Sequence, residues 1–184
     1  MQNNEVLEKV VAAVDLAAVP DSEISTRQRA TLAKLRGELS KADAALEAVH
    51  ADHDSPVETT ASRARHISSE VEILRGRTAE TLLSLARSRK ADAVAFDAAL
   101  SQRGRAARAA LDAAYESDAL ALAEFFGDAQ KAMNVLRWLR RGPGNCTVKV
   151  AAAESTANAI SLEAMKMARL LGRDLAELLP AAGI

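Results

Sequence analysis

No proline interrupts the chain between Pro56 and Pro143, and apolar residues recur through that stretch at intervals of three and four. A long proline-free run with this period can only be helical, because strands alternate with period two and turns need residues that break the pattern. The stripe runs Val57, Thr60, Ala64, Ile67, Val71, Leu74, Thr78, Leu82 and Leu85, then through Ala93, Phe96 and Leu100 to Ala107 and Leu111. It continues by Leu122, Phe125, Ala129, Met133 and Leu136. Unbroken to residue 141, such a helix would extend roughly 130 Å at ~1.5 Å per residue. Gly76, Gly104 and Gly127 are its weak points, each costing about 1 kcal/mol relative to alanine. A turn at Gly104 would instead give helices 22–54, 56–101, 105–141 and 146–179, the makings of a four-helix bundle.

The preceding segment carries the same signature more sharply. Leu32, Leu35, Leu39, Ala42, Leu46, Val49 and His53 alternate at three and four with Lys and Glu beside them, which is a heptad seam. A helix is expected from Asp21-Ser22 to about His53, then a reversal at "HDSPVE". There Ser55 caps, Pro56 occupies the first turn and Glu58 completes a capping box. The spacing therefore predicts a helical hairpin over 22–101. Before it, Val6, Val10, Ala13 and Ala17 share a face of a short helix over 4–18, ended by Val19-Pro20. After "GPGN", Asn145 or Thr147 can cap a last helix with Ile160, Ala164, Met167, Leu171, Leu175 and Leu178 on one side, stopped by Pro180. The expected organisation is a short N-terminal helix (1–19), a hairpin or long-helix region (20–141), and a loop with a C-terminal helix (142–184).

Composition explains why the helices should be slender. About one residue in five is alanine and aromatics make up 3%, so the apolar faces are lined largely by methyl groups. Alanine favours helix but buries little surface. Long, all-α, elongated coiled-coil-like packing follows, with the four-helix bundle as the alternative.

Charge excludes little. The formal net charge is −1, unlike the distinctly basic balance of most polyanion binders. No run approaches the ~18 uninterrupted apolar residues of a membrane span. The opening "MQNNEVLEKVV" lacks a secretory pattern. A cytoplasmic location, or a particle assembled there, is the expectation. Cys146 stands alone, and Asn145-Cys146-Thr147 fits a glycosylation pattern only by chance on that expectation.

Catalytic chemistry finds no foothold in the spacing. His50, His53 and Asp54 lie along one side of a helix with Glu47 a turn earlier. The histidines are three apart rather than the four of the zinc helix motif, and His66 does not join them. Glu47 and His50 form one Glu-x-x-His pair where di-iron bundles need two. Glu70 and Glu72, two apart, face different sides of a helix. Cys146 follows a Gly-rich loop without a visible histidine, and "GPGNCT" lacks the ending of a phosphate loop. No enzyme and no cofactor are implied.

What remains is contact-making. The sequence points to a non-enzymatic structural or assembly protein acting through coiled-coil self-association. By analogy with small alanine-rich helical proteins, it could be a subunit or scaffold of a larger particle such as a phage virion. Homo-oligomers or other protein subunits are the expected partners. The association and packing residues are Leu32, Leu35, Leu39, Leu46, Val49, Ile67, Val71, Leu74, Leu82, Leu85, Phe125, Phe126 and Trp138. A lesser alternative is an oligomeric nucleic-acid binder using Arg103, Arg105, Arg108, Arg137, Arg140 and Arg141 as phosphate contacts. Another is an amphipathic, phasin-like surface coat. The arginines of "LRWLRRGPGN" (136–145) also read simply as cations at a helix C-terminus, worth roughly 0.3–1 kcal/mol each.

Overall fold

The computed structural model describes residues 2–51, 57–140 and 148–184. It is all-α: α1 (Gln2–Leu16), α2 (Glu23–Ala51), α3 (Val57–Phe126), α4 (Ala129–Leu139), α5 (Val148–Arg169), one π-helical turn (Leu170–Asp174) and α6 (Leu175–Ala182). No described residue is in a strand, and no described helix is long and apolar enough to cross a membrane. The chain divides into two compact units, Met1–Val94 with Leu170–Ile184, and Ala95–Arg169.

In the first unit α2 and the first part of α3 pack antiparallel. Ser25 reaches Asp92, Gln28 reaches Ser84 and Asp43 reaches Arg75, so partner numbers fall on α3 as they rise on α2. The reversal itself, with His53, Asp54, Ser55 and Pro56, lies outside the described residues. Leu32, Leu35, Ala42 and Val49 are buried with Leu39 and Leu46 half-buried, the spacing read from the sequence. Leu35, Ala42, Val71 and Leu74 form one cluster, flanked by Leu39 and Ile67. Ser22 starts α2 by accepting the Ser25 N–H on its hydroxyl at 3.2 Å, which satisfies one of the first-turn amides.

The α1 face differs from expectation. Leu7, Val10, Val11 and Val14 are buried, whereas Val6, Ala13 and Ala17 are only half-buried. Larger side chains remove more apolar surface from water than alanine can, so the helix turns its Leu/Val edge inward. It lies against α6. The expected stop at Pro180 also fails, since α6 runs through it to Ala182. Termination falls to Gly183 (φ 71°), where the Ile184 N–H reaches the Leu179 carbonyl and the Gly183 N–H the Pro180 carbonyl. This is a Schellman closure, for which glycine accepts the left-handed backbone.

Helix α3 does not turn at Gly104, so the four-helix arrangement that depended on that turn does not form. "SQRGRAAR" offers no loop chemistry, and in the second unit Gly104 packs against α5, 3.8 Å separating its would-be Cβ from Ile160 Cγ2. The break comes later, at Gly127 (φ 56°). Asp128 then caps α4, accepting from the Gln130 and Lys131 amides.

Candidate functional site

Two features of the described residues gather unusual chemistry, one in each unit. The first is built around Arg89 on α3, which is 1% exposed and therefore a buried cation. Its Nη2 donates to Asp15 Oδ1 (2.9 Å) at the end of α1 and to the Val19 carbonyl (2.8 Å). Its Nη1 donates to the Pro20 carbonyl (3.0 Å) and to Asp92 Oδ2 (3.0 Å), and lies 2.8 Å from Asp21 Oδ1. Asp92, in turn, accepts from the Ser25 hydroxyl at 2.6 Å and the Ser22 N–H at 3.3 Å. Arg29 on α2 closes the ring from the other side, 2.5 Å from Asp15 and 2.7 Å from Asp21. A desolvated guanidinium is tolerable only when opposite charges and carbonyls replace its water. Here α1, the connector and α3 each supply at least one.

Burial raises the Asp92 carboxyl, but hydrogen bonds from Ser25, Ser22 and Arg89 outweigh it and hold the group below its usual range. A folded-state value below the unfolded one contributes stability that is fully present above the unfolded pKa of about 3.9 and lost as pH falls through the folded value. The expected result is an acid limb in a urea-midpoint series from pH 7 to 3 that flattens in Asp92→Asn. Parallel curves for the two proteins would remove Asp92 from the account.

The Arg89 bonds tie α1 and its connector to α3. Among the described residues no three His, Cys, Asp or Glu side chains group as a metal site. His50 is exposed at the end of α2, while His53, Asp54 and Cys146 lie outside the described residues.

The second feature is the corner between α3 and α4. Arg140 stacks over the Tyr115 ring at 4.4 Å, so α4 folds back along α3 after Gly127. Ala132 and Leu136 of α4 are buried. Phe125 (81% exposed), Phe126 (41%) and Trp138 (58%) are not, and neither are Leu120 and Met133. Phe125 and Phe126 meet edge to face, with centroids 5.1 Å apart. Of the other association and packing positions, Val71, Leu74, Leu82 and Leu85 are buried and Ile67 half-buried.

Among the candidate phosphate contacts, two face carboxylates. Arg103 lies 3.9 Å from Glu163 and Arg108 3.9 Å from Asp112. Arg105 and Arg137 are exposed, Arg140 is the C-cap of α4 and is engaged with Tyr115, and Arg141 lies outside the described residues. Arg137 in the last turn of α4 and Arg140 beyond it occupy the positions where a helix dipole favours cations. Sequence reasoning misses the Arg89 cluster altogether. Its local traces are Arg89 at an inward position spaced four from Leu85 and Ala93, and Asp92 three residues on, a spacing at which helix side chains meet.

No protein-family model, curated protein or solved structure matches this chain.

Proposed function

We propose that this chain is a non-enzymatic assembly protein that works by self-association, a second copy covering the apolar corner between α3 and α4. One observation carries the reading. Ala107, Leu111 and Asp118 are buried along α3 and Leu122 is half-buried. Phe125 continues that line three residues further on, yet is 81% exposed. An inward-register phenylalanine without cover is different from a lone surface leucine, because a large apolar patch in water marks a contact surface. Phe126 meets Phe125 edge to face, and Trp138 exposes a further ring on α4, a side chain of the type that dominates interface energetics. A role as subunit or scaffold of a larger particle agrees with these exposed aromatic rings on long helices.

Light scattering coupled to size exclusion over a concentration series tests this. The expected species is well above the 19.5 kDa of one chain. The double change Phe125→Ser with Trp138→Ser should weaken association by at least tenfold while leaving helical content unchanged. A parent protein that stays monomeric at every concentration, or a double variant that associates as the parent does, would end the proposal.

A further inference from the structure

We infer that Arg89 keeps α1 on its own chain, and that loosening its grip on the connector lets α1 exchange with the α1 of a second copy. The exchanged dimer is separate from association through the α3–α4 corner and does not depend on it.

What holds α1 and what holds its connector are different residues. Helix α1 is seated by apolar contact: Val10 and Val14 have no exposed surface and Leu7 has 3%. Val11 lines a groove of about 360 Å³ with Leu32 of α2 and Leu82 and Leu85 of α3. An identical α1 from another copy would satisfy that seat equally well, which is the condition for swapping an element between protomers.

The connector between Leu16 and Glu23 is what decides the donor. Its closed form turns at Ala18, whose φ of 55° puts a non-glycine residue in the left-handed region. An L-residue there is strained by its Cβ against the carbonyl, and short strained hinges favour exchange. Opposing the strain, Val19 is buried, and Arg89 grips the connector through the Val19 and Pro20 carbonyls and Asp21. Only Asp15 among Arg89's partners belongs to α1 itself. The buried guanidinium thus specifies the closed turn rather than the docking of the helix. Buried polar and ionic groups used for specificity in this way are best attested for register and partner choice.

Opening therefore forfeits the Arg89–connector bonds and releases the strain at Ala18, while α1 keeps its seat on the other copy. Two sets of substitutions move the balance in opposite directions. Asp21→Asn weakens the lock without removing the buried cation. Ala18 is exposed, so Ala18→Gly relieves the closed turn and Ala18→Val strains it further, with no packing change in either.

The readout distinguishes exchange from any other dimer. Arg36 on α2 pairs with Glu8 on α1, so Arg36→Lys places an amine where a carbodiimide can join it to that carboxylate. The amine attacks the activated carboxyl, forms an amide and releases the urea. In the closed form the amide between Glu8 and position 36 lies within one chain, and in the exchanged form it joins two. Each variant, carrying Arg36→Lys, is refolded at high concentration, cross-linked, separated under denaturing conditions and mapped. Asp21→Asn and Ala18→Val should each raise the yield of dimer joined by that amide several-fold over the Arg36→Lys parent. Ala18→Gly should lower the exchange constant by roughly tenfold for each of the two hinges that open. Dimers in which this amide is found only within single chains, as corner association would give, overturn the inference. So does the absence of dimer in every variant, or equal yields from Ala18→Gly and Ala18→Val.

Discussion

Truncating Arg89 to alanine lowers the unfolding free energy by about 3–5 kcal/mol, the range for removing one partner of a buried ion pair. The loss is not that of a surface salt bridge, worth ~0–1 kcal/mol, because the guanidinium is 1% exposed and Asp92 is 9% exposed. Asp15 and Asp21 are 40% and 28% exposed and regain water when the cation goes. Asp92 and the Val19 and Pro20 carbonyls are the groups left stranded. The unpartnered Arg89 Nε, buried without an acceptor, already subtracts something from the native cluster, which places the expected value near the lower end of the range. Adding Asp92→Asn to the Arg89→Ala chain should then cost less than Asp92→Asn costs alone, a coupling of about 0.5–3 kcal/mol. Urea denaturation of the parent, both single variants and the double variant measures all terms. An Arg89→Ala chain within about 1 kcal/mol of the parent, the surface-pair range, would show that the carboxylates do not depend on the cation.

The same cluster shows where the sequence stops being legible. The α2 seam and the α3 stripe are readable because each needs only one periodicity, and a residue three or four positions along must share its face. Leu32, Leu35, Val71, Leu74, Leu82 and Leu85 are buried where that rule puts them. Arg89 obeys the same spacing but is charged, and a charge in an apolar stripe is ordinarily a register drifting to solvent. Apart from Asp92, three residues on, its partners come from residues 15 to 21, far away in the chain, and no local pattern connects them. The N-terminal face escapes the pattern for a related reason. Alanine and valine at helical spacing admit several faces, and contact with α6 at the other end of the chain selects among them. Pro180 has the form of a stop, yet a proline near a helix end need break only one hydrogen bond, and Gly183 supplies the actual termination. The uncovered corner is half-legible. Phe125 falls on the stripe by spacing and Trp138 only at its margin, but the fold-back at Gly127-Asp128 that leaves them exposed depends on tertiary packing.

Leu85→Ala should destabilise the protein by about 3–4 kcal/mol, in the upper half of the usual range of roughly 2–5 kcal/mol for emptying a core leucine site. Leu85 is 1% exposed and stands one turn before Arg89 on α3. The transfer term alone, removal of three buried carbons, accounts for roughly 2 kcal/mol at ~0.8 kcal/mol per group. The remainder depends on whether the neighbours can close the gap. They are poorly placed to do so, because the Arg89 cluster pins α3 to the connector one turn away, and Leu85 already lines a groove of about 360 Å³ with Val11, Leu32 and Leu82. A rigid wall on one side and an existing hollow on the other leave the new cavity standing. Leu85→Met, which keeps the volume, should cost less than ~1.5 kcal/mol, and Val94→Ala, at a site 53% exposed, should stay within ~0.5 kcal/mol. Urea midpoints at unchanged slope for the three variants separate these cases. If Leu85→Ala falls among the surface values, the seam between α2 and α3 relaxes freely and Arg89 is not pinning it, which would undercut both the rigidity of that wall and the role given to the buried guanidinium.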